Sequence, residues 1–510
     1  MSDTLLPILK KISGAKAATA EEIDNALDLI SQNRISPVQT GALLTALHYT
    51  GLKPSNKYSG DLSDAIISAL QDQCTPELAN ALTTAQSLST GTPASAPPTS
   101  AYSLRELIAR IASSHGKESA SKMAEDLGSS LSEAFQQISL GTCSAAQTGI
   151  LLTSLHYTGL DMQASIIAAA ARQLRSAGHK IQNLQQHPSS GPGPYAGGLV
   201  DIVGTGGDGH DTFNVSTTAA IVVSGCGVRV LGKHGSKAST SASGSADILM
   251  SLGAKLLSVT SDVVSKMYAE DNHPESSFCF LYAPVFHPAM AQIGPIRREL
   301  GCRTIFNVLG PLINPIDYSI AEGLEARILG VGKKELGPVY AETLKLLGAR
   351  KVMVVCGEEQ LDEISPAGYT DAWWIGDEQD GERKIHAFKM HPKETFGLDT
   401  HPLSVVAGGK KPEENAVILK ALLAGRMPRG EPITDFVLLN AAALLVVSDA
   451  VHDRAEGEVD WEIGSDGIVR GAIWTKAVER ALEGINSGES WRCWERFVET
   501  SQQAEKAQQS

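Results

Sequence analysis

Four glycines within six residues, placed directly after a β-branched run, restrict what this chain can fold into more than any other feature. From Leu199 it reads LVDIVGTGGDGHDTFNVSTTAAIVV. Leu199, Val200, Ile202 and Val203 form a short apolar run stopped by glycine, the pattern of a buried strand. Gly204, Gly206, Gly207 and Gly209 then carry no Cβ, so successive N–H groups can converge on one anion. Asn214 to Thr218 precede an alanine-rich apolar segment and open a helix, whose dipole adds to the pull on negative charge. A second apolar run, Val228 to Leu231, ends in a basic turn, Gly232-Lys233-His234-Gly235. Two glycine turns at the ends of neighbouring strands suit a highly phosphorylated small molecule.

Two other phosphate readings fit less well. Gly204, Gly206 and Gly209 match the spacing G-x-G-x-x-G, but a dinucleotide site wants an acid after the next strand, and here that strand ends in Lys233. No G-x-x-x-x-G-K-[ST] occurs in the stretch.

The blocks GTGGDGHDTFNVST, KHGSKAST and SGSAD resemble the anthranilate phosphoribosyltransferase family of tryptophan biosynthesis. The resemblance continues through FLYAPVFHPAM (280–290), RRELG (297–301), RTIFN (303–307), LGPLINP (309–315), LDEIS (361–365) and DFVLLNAA (435–442), covering roughly residues 100 to 490. It implies transfer of a 5-phosphoribosyl group from phosphoribosyl pyrophosphate to the amine of anthranilate, with release of pyrophosphate. The implied fold is α/β: a helical N-terminal domain plus a larger domain with a central, largely parallel sheet flanked by helices. It is the architecture shared with nucleoside phosphorylases.

Residue by residue, the resemblance implies that Gly204, Thr205, Gly206, Gly207, Asp208, Thr212, Asn214, Val215, Ser216, Thr217, Lys233, Gly235 and Ser245 bind the ribosyl donor. Ser216, Asp362 and Glu363 would hold Mg2+. Gly204, Ser236, His287 and Arg297 would meet anthranilate, with Arg297 gripping its carboxylate as a planar fork. Asp208, Lys233 and Arg297 would carry the catalysis, in which the departing charge must be stabilised and the nucleophile held close. Other readings of these residues stay open: Asn214, Ser216 and Thr217 are good helix caps, Asp362-Glu363 reads as an exposed acidic turn, and an arginine pair such as Arg297-Arg298 is usually a solvated face. The family turn is usually Lys-His-Gly-Asn-Arg, so Ser236 and Lys237 depart from it and put the acceptor contact of that asparagine in question.

The rest of the chain sets the frame. At 510 residues it exceeds one hydrophobic core. Its net charge of −14 argues against a nucleic-acid partner held by bulk electrostatics, though not against a local phosphate site. Seven dispersed cysteines with no C-x-x-C pair indicate reduced thiols, and with no signal or membrane-length segment a cytoplasmic protein is expected.

QTGALLTALHYTGL from Gln39 recurs as QTGILLTSLHYTGL from Gln147, an internal repeat. Residues 1–86 are therefore read as a first helical copy, 87–101 as a flexible linker, 102–184 as a second copy, 185–198 as a hinge, 199–490 as the α/β domain, and 491–510 as a short helix fraying into a polar tail. A helical segment near 288–301 is expected to pack on the helical domain. The second copy is taken as the one in register with the family, which makes the first dispensable for chemistry: an extra domain, unless one copy displaces the other. Within the α/β domain, Val228–Leu231, Thr304–Val308 and Lys351–Cys356 are read as strands, and 377–384 as a charged surface insertion. A homodimer through the helical units follows from the resemblance. Alternatives are a pyrimidine nucleoside phosphorylase-like enzyme and a non-catalytic nucleic-acid-binding relative.

Overall fold

The computed structural model describes residues 4–14, 18–55, 58, 75–91, 102–181, 195–236, 244–269, 277–316, 323–376, 383–409, 411–451 and 461–509. Most of the expected linker (92–101), most of the expected hinge (185–194), Lys237 and residues 377–382 of the charged insertion lie outside them. The chain forms two compact units, Met1–Gly178 with His287–Ile313, and His179–Phe286 with Asn314–Ser510. None of the described helices is long and apolar enough to cross a membrane.

The first unit is helical: α1 (Leu6–Ser13), α2 (Ala20–Ser31), α3 (Pro37–Thr50), α4 (Pro76–Thr90), α5 (Arg105–Ser114), α6 (Ala120–Ser139), α7 (Ala145–Thr158) and α8 (Ala164–Ser176). The sequence repeat is also a structural one. Ser36 and Ser144 cap α3 and α7 by accepting from Gln39 N and Gln147 N, and Gly51 and Gly159 close the two helices with φ of 68° and 72°. The Gln39 side chain accepts from Leu5 N at 2.8 Å, and the Gln147 side chain from Leu104 N at 2.9 Å. Apolar on nearly every side, α3 and α7 are buried almost throughout and pack on each other. Both copies thus sit in one compact unit, and neither displaces the other.

The linker expected from Ser87 starts too early. Thr75 caps α4, the helix runs through Thr90, and Gly91 ends it at φ 66°. Leu78, Ala81, Leu82, Ala85 and Leu88 give α4 a buried apolar face that the serines and threonines around them mask in composition. Asn80 accepts from Arg105 at 2.7 Å and from Gln147 at 2.9 Å, tying α4 to the second copy.

The same unit contains the helix Ala289–Leu300, closed by Gly301 at φ 70°. Ser13 donates to Gly301 O at 3.2 Å, and a Cβ on Gly301 would lie 2.8 Å from Leu9 Cβ. Thr304–Val308 is not a strand. Asn307 accepts from Thr304 N at 2.9 Å and the chain turns into a helical segment, Phe306–Leu309, so local side-chain bonding outweighs β-branched propensity.

The second unit is α/β. Its five-stranded sheet has the order β1 (Leu199–Gly204), β4 (Leu324–Gly330), β5 (Lys351–Gly357), β6 (Thr370–Ile375), β7 (Ile385–Met390). The first three strands are parallel, and the last two extend the sheet antiparallel. A separate parallel pair joins β2 (Val230–Gly235) to β3 (Phe278–Tyr282). The helix Pro432–Val447 is buried almost throughout and packs on β4, on β5 and on the helix Val215–Ser224.

The C-terminus is no frayed tail. Glu489–Gln509 is one helix whose Trp494 and Phe497 pack on Phe278 of β3, with ring centroids 6.2 and 5.4 Å apart. Cys493, Trp494 and Phe497 form a narrow apolar stripe inside an otherwise polar segment, enough to bind the helix down.

The α3–α7 packing leaves no room at Gly41, where a Cβ would lie 2.6 Å from Ile150 Cγ1. Gly41→Val is expected to destabilise the chain by about 1–3 kcal/mol through overpacking. Urea unfolding monitored by circular dichroism checks this, and an unchanged midpoint would show that the two helices separate freely.

Candidate functional site

The strands β1, β4 and β5 run parallel, so the chain leaves all three at one edge of the sheet. The glycine loop follows β1. Thr205 N donates to Gly330 O at 3.0 Å, and Gly332 N donates to Thr205 Oγ1 at 3.3 Å, which fastens the loop to the end of β4. The 361–365 loop after β5 then closes over both strand ends. A Cβ on Gly330 would stand 1.6 Å from Asp362 O, and one on Gly204 would stand 2.4 Å from Asp362 Oδ2. Only glycine fits at either place.

This closure brings three carboxylates together. Gly206 N donates to Asp362 Oδ2, and Asp362 N donates to Asp208 Oδ2 at 3.4 Å. Asp208 is further fixed by accepting from His210 N at 3.1 Å. Burial, and after it the Asp208 charge, pushes the Asp362 carboxyl up to about 7. Burial also drives Glu363 well above the usual carboxylate range, with Asp362 and Asp208 adding to it. Glu363 Oε2 is buried and without a hydrogen-bond partner among the described residues. Asp362-Glu363 is therefore not the exposed acidic turn its composition suggests.

The helix Val215–Ser224 starts beside the loop, and its first residues are not spent on capping. Asn214 makes no side-chain cap; its Nδ2 donates to Ser245 Oγ at 3.3 Å, and its Oδ1 is buried and without a partner among the described residues. Thr217 Oγ1 is likewise buried and unpartnered, and Val215 and Ser216 are buried at the same turn. Thr212 bridges to Ala407, and Phe213 N donates to Val406 O at 2.9 Å, holding the segment that leads in. Unsatisfied buried polar atoms are costly, so their concentration at one helix start is the mark of a ligand.

Lys233 is in a strand, not a turn: β2 continues through Gly235, and Lys233 pairs with Phe280 of β3. The lysine is 1% exposed, and burial lowers it to about 8, opposed by the charge of Asp201. Gly235 approaches Phe280, where a Cβ would lie 2.7 Å from the ring. Ser236 follows the strand and accepts through its carbonyl from Ala246 N at 3.2 Å, which ties the second basic turn to the helix begun by Ser245.

The sequence did not single out the support beneath these groups. Asp201 of β1 and Arg327 of β4 form an ion pair at 2.9 Å with both side chains fully buried. Asn314 donates to Asp201 Oδ2 at 3.0 Å and to Gly232 O at 2.7 Å, so one network joins β1, β4 and the residue before Lys233. Asp201 sits inside an apolar run, and a charge in a buried strand is the signal that could have revealed it.

Two residues expected at the acceptor belong to the helical unit. His287 is buried at the start of its second segment, and Arg297 is half-buried on Ala289–Leu300 whereas Arg298 is exposed. Burial, and then Arg303, lowers the Arg297 guanidinium. Arg303 is thus a candidate that sequence reading missed, although it begins the quoted block RTIFN. Neither arginine has an ion pair recorded among the described residues.

The charge crowding yields a signed expectation. Asp362 holds its proton in the folded chain up to about 7, against an ordinary 3.8, so the unfolded chain ionises first and stability falls as pH rises between those values. Asp362→Asn should therefore raise the ligand-free Tm at pH 8, on the order of a few degrees, with a smaller gain at pH 5. Scanning calorimetry at both pH values checks it; a gain independent of pH would mean that charge is not the cause.

Residues 196–490 match the model of the glycosyl transferase family a/b domain, and residues 6–56 match that of its helical bundle domain. The helical match falls on the first repeat copy. The chain is 42% identical over 370 residues to the anthranilate phosphoribosyltransferase of Schizosaccharomyces pombe, covering 72% of this chain and 91% of that protein. It is 39% identical to the Saccharomyces cerevisiae enzyme, covering 68% of this chain and 84% of that one. Among solved structures, the Saccharomyces cerevisiae enzyme in complex with phosphoribosyl pyrophosphate and Mg superposes with a TM-score of 0.58 at 35% identity, over 74% of this chain and 93% of that one. The Thermus thermophilus enzyme gives 0.58 at 33% identity, over 76% and 100%. With an α/β unit matched from 196 to 490 and relatives of this identity, the chain belongs to the anthranilate phosphoribosyltransferase family of glycosyl transferases.

Proposed function

We propose that the chain transfers the 5-phosphoribosyl group of phosphoribosyl pyrophosphate to the amine of anthranilate, releasing pyrophosphate. The observation that carries this reading is the meeting of donors and acceptors at one sheet edge: a loop that must be glycine, buried unpartnered Asn214, Thr217 and Glu363 atoms, and three mutually repelling carboxylates. In this reading Gly204–Asp208, Thr212, Asn214–Thr217, Lys233, Gly235 and Ser245 take the phosphates and ribose of the donor. Lys233 meets a phosphate as a point charge, and it is dry enough to act at full strength.

Asp362 and Glu363, with Ser216, fit a divalent cation. Both carboxyls are buried beside Asp208, and Glu363 Oε2 is an oxygen without a hydrogen-bond partner among the described residues. The hard oxygen set suits Mg2+, which a solved relative binds together with the donor. When bound, the metal supplies counter-charge to the leaving pyrophosphate. The chain's own part is to hold the donor by backbone amides, keep water from Lys233, and present the acceptor. The resemblance assigns the anthranilate carboxylate to Arg297, which has Arg303 nearby, and assigns further acceptor contacts to Gly204, Ser236 and His287. An analogue of that acceptor, 4-fluoroanthranilate, is bound in another solved relative. A cytoplasmic location fits the dispersed free thiols, but the homodimer implied by the resemblance is not proposed.

Arg297→Ala separates this reading from a phosphorylase, whose acceptor is phosphate. Loss of a charge-assisted contact should cost about 1.5–3 kcal/mol, seen as roughly ten- to a hundredfold in KM or kcat/KM for anthranilate, with the donor's KM unchanged. Equal damage to both substrates in steady-state kinetics would make Arg297 structural.

A further inference from the structure

The pairing of α3 with α7 has the form of a two-fold symmetric interface. In an interface between identical units related by a two-fold axis, residue i of one unit meets residue j of the other, and j of the first meets i of the second. Position 41 corresponds to 149 in the repeat, and 38 to 146. A Cβ on Gly41 would lie 3.7 Å from Ala146 O, and a Cβ on Gly149 would lie 3.7 Å from Val38 O. The reciprocal contacts are equal. Tyr49 and Tyr157, also corresponding positions, stack on one another with centroids 6.4 Å apart and planes inclined by 16°, as a residue near the axis must. Chance packing of two similar helices has no reason to give both a reciprocal pair of equal contacts and a meeting of corresponding residues.

We propose that the second helical copy takes, within one chain, the place that a second molecule's helical unit would take, so that the protein is a self-paired monomer. The apolar face of α3 has its partner in α7, and Leu43, Leu44 and Leu47 are buried without a second chain. The pairing is completed by an element outside the repeat: Leu300, three residues after Arg297, has its Cδ2 3.3 Å from a Cβ at Gly149, beside Val38 Cγ1 at 3.2 Å. Both copies therefore hold the Arg297 helix.

The full-length chain tests this without any substitution. Sedimentation velocity should give the single-chain mass of 53.8 kDa from nanomolar to high micromolar concentration. A concentration-dependent rise towards twice that mass overturns the proposal. A second measurement excludes the same pairing made between exchanged chains. Val38→Cys with Gly149→Cys should oxidise to a bond within one chain, seen on a non-reducing gel as a monomer band that migrates faster than the monomer bands of the two single variants and shifts back on reduction. A band at the dimer mass, or no bond at all, contradicts the pairing.

Discussion

The closure of the 361–365 loop onto the ends of β1 and β4 is the contact on which the site rests. It is possible because Gly204 and Gly330 have no side chains, and a methyl group at Gly330 would occupy the space of the Asp362 carbonyl. The closure has an electrostatic consequence. It seats Asp362 and Glu363 next to Asp208 in a place poor in water, where burial first, and then neighbouring like charge, raises the proton affinity of Asp362 and Glu363. Such an arrangement stores unfavourable energy in the ligand-free chain, which a divalent cation and a diphosphate together would release.

Opposite charge is supplied with equal care. Lys233 is almost wholly buried, and the Asp201–Arg327 pair lies beneath it with Asn314 bonded to both Asp201 and the backbone at Gly232. Breaking a buried pair by removing one partner costs about 3–5 kcal/mol, so this network fixes the position of the lysine more firmly than the flexibility of its side chain would allow. Rigid support and a dry lysine serve the same end, because a fixed charge in low dielectric acts strongly on developing negative charge.

Much of this was legible in the sequence, for particular reasons. The glycine loop was readable because absent side chains leave a pattern that no other structural need produces. The helical repeat was readable because QTGALLTALHYTGL from Gln39 recurs almost unchanged from Gln147, whereas the Ser36 and Ser144 caps were not singled out. What local patterns could not show was determined by packing. Lys233 looked like a turn residue because glycines flank it, but pairing with β3 carries β2 through it. Thr304–Val308 looked like a strand until the Asn307 side chain claimed the backbone. The terminal helix was hidden because Trp494 and Phe497 are few, although Phe278 gives them a partner. Asp201, Arg327 and Asn314 are far apart in sequence, and nothing local announces that they meet. The pairing of the helical copies could not be read either, since a repeat states that two units exist and not how they face each other.

The central claim is that the carboxylates and the glycine loop form one site for ribosyl transfer to an aromatic amine. Its most direct measurement is pyrophosphate release by the purified full-length chain, with phosphoribosyl pyrophosphate, anthranilate and Mg2+ supplied together and each omitted in turn. The account predicts release only when all three are present, matched mole for mole by loss of the fluorescence of free anthranilate. Release that does not require anthranilate, or cleavage of a pyrimidine nucleoside by phosphate in its place, would contradict it.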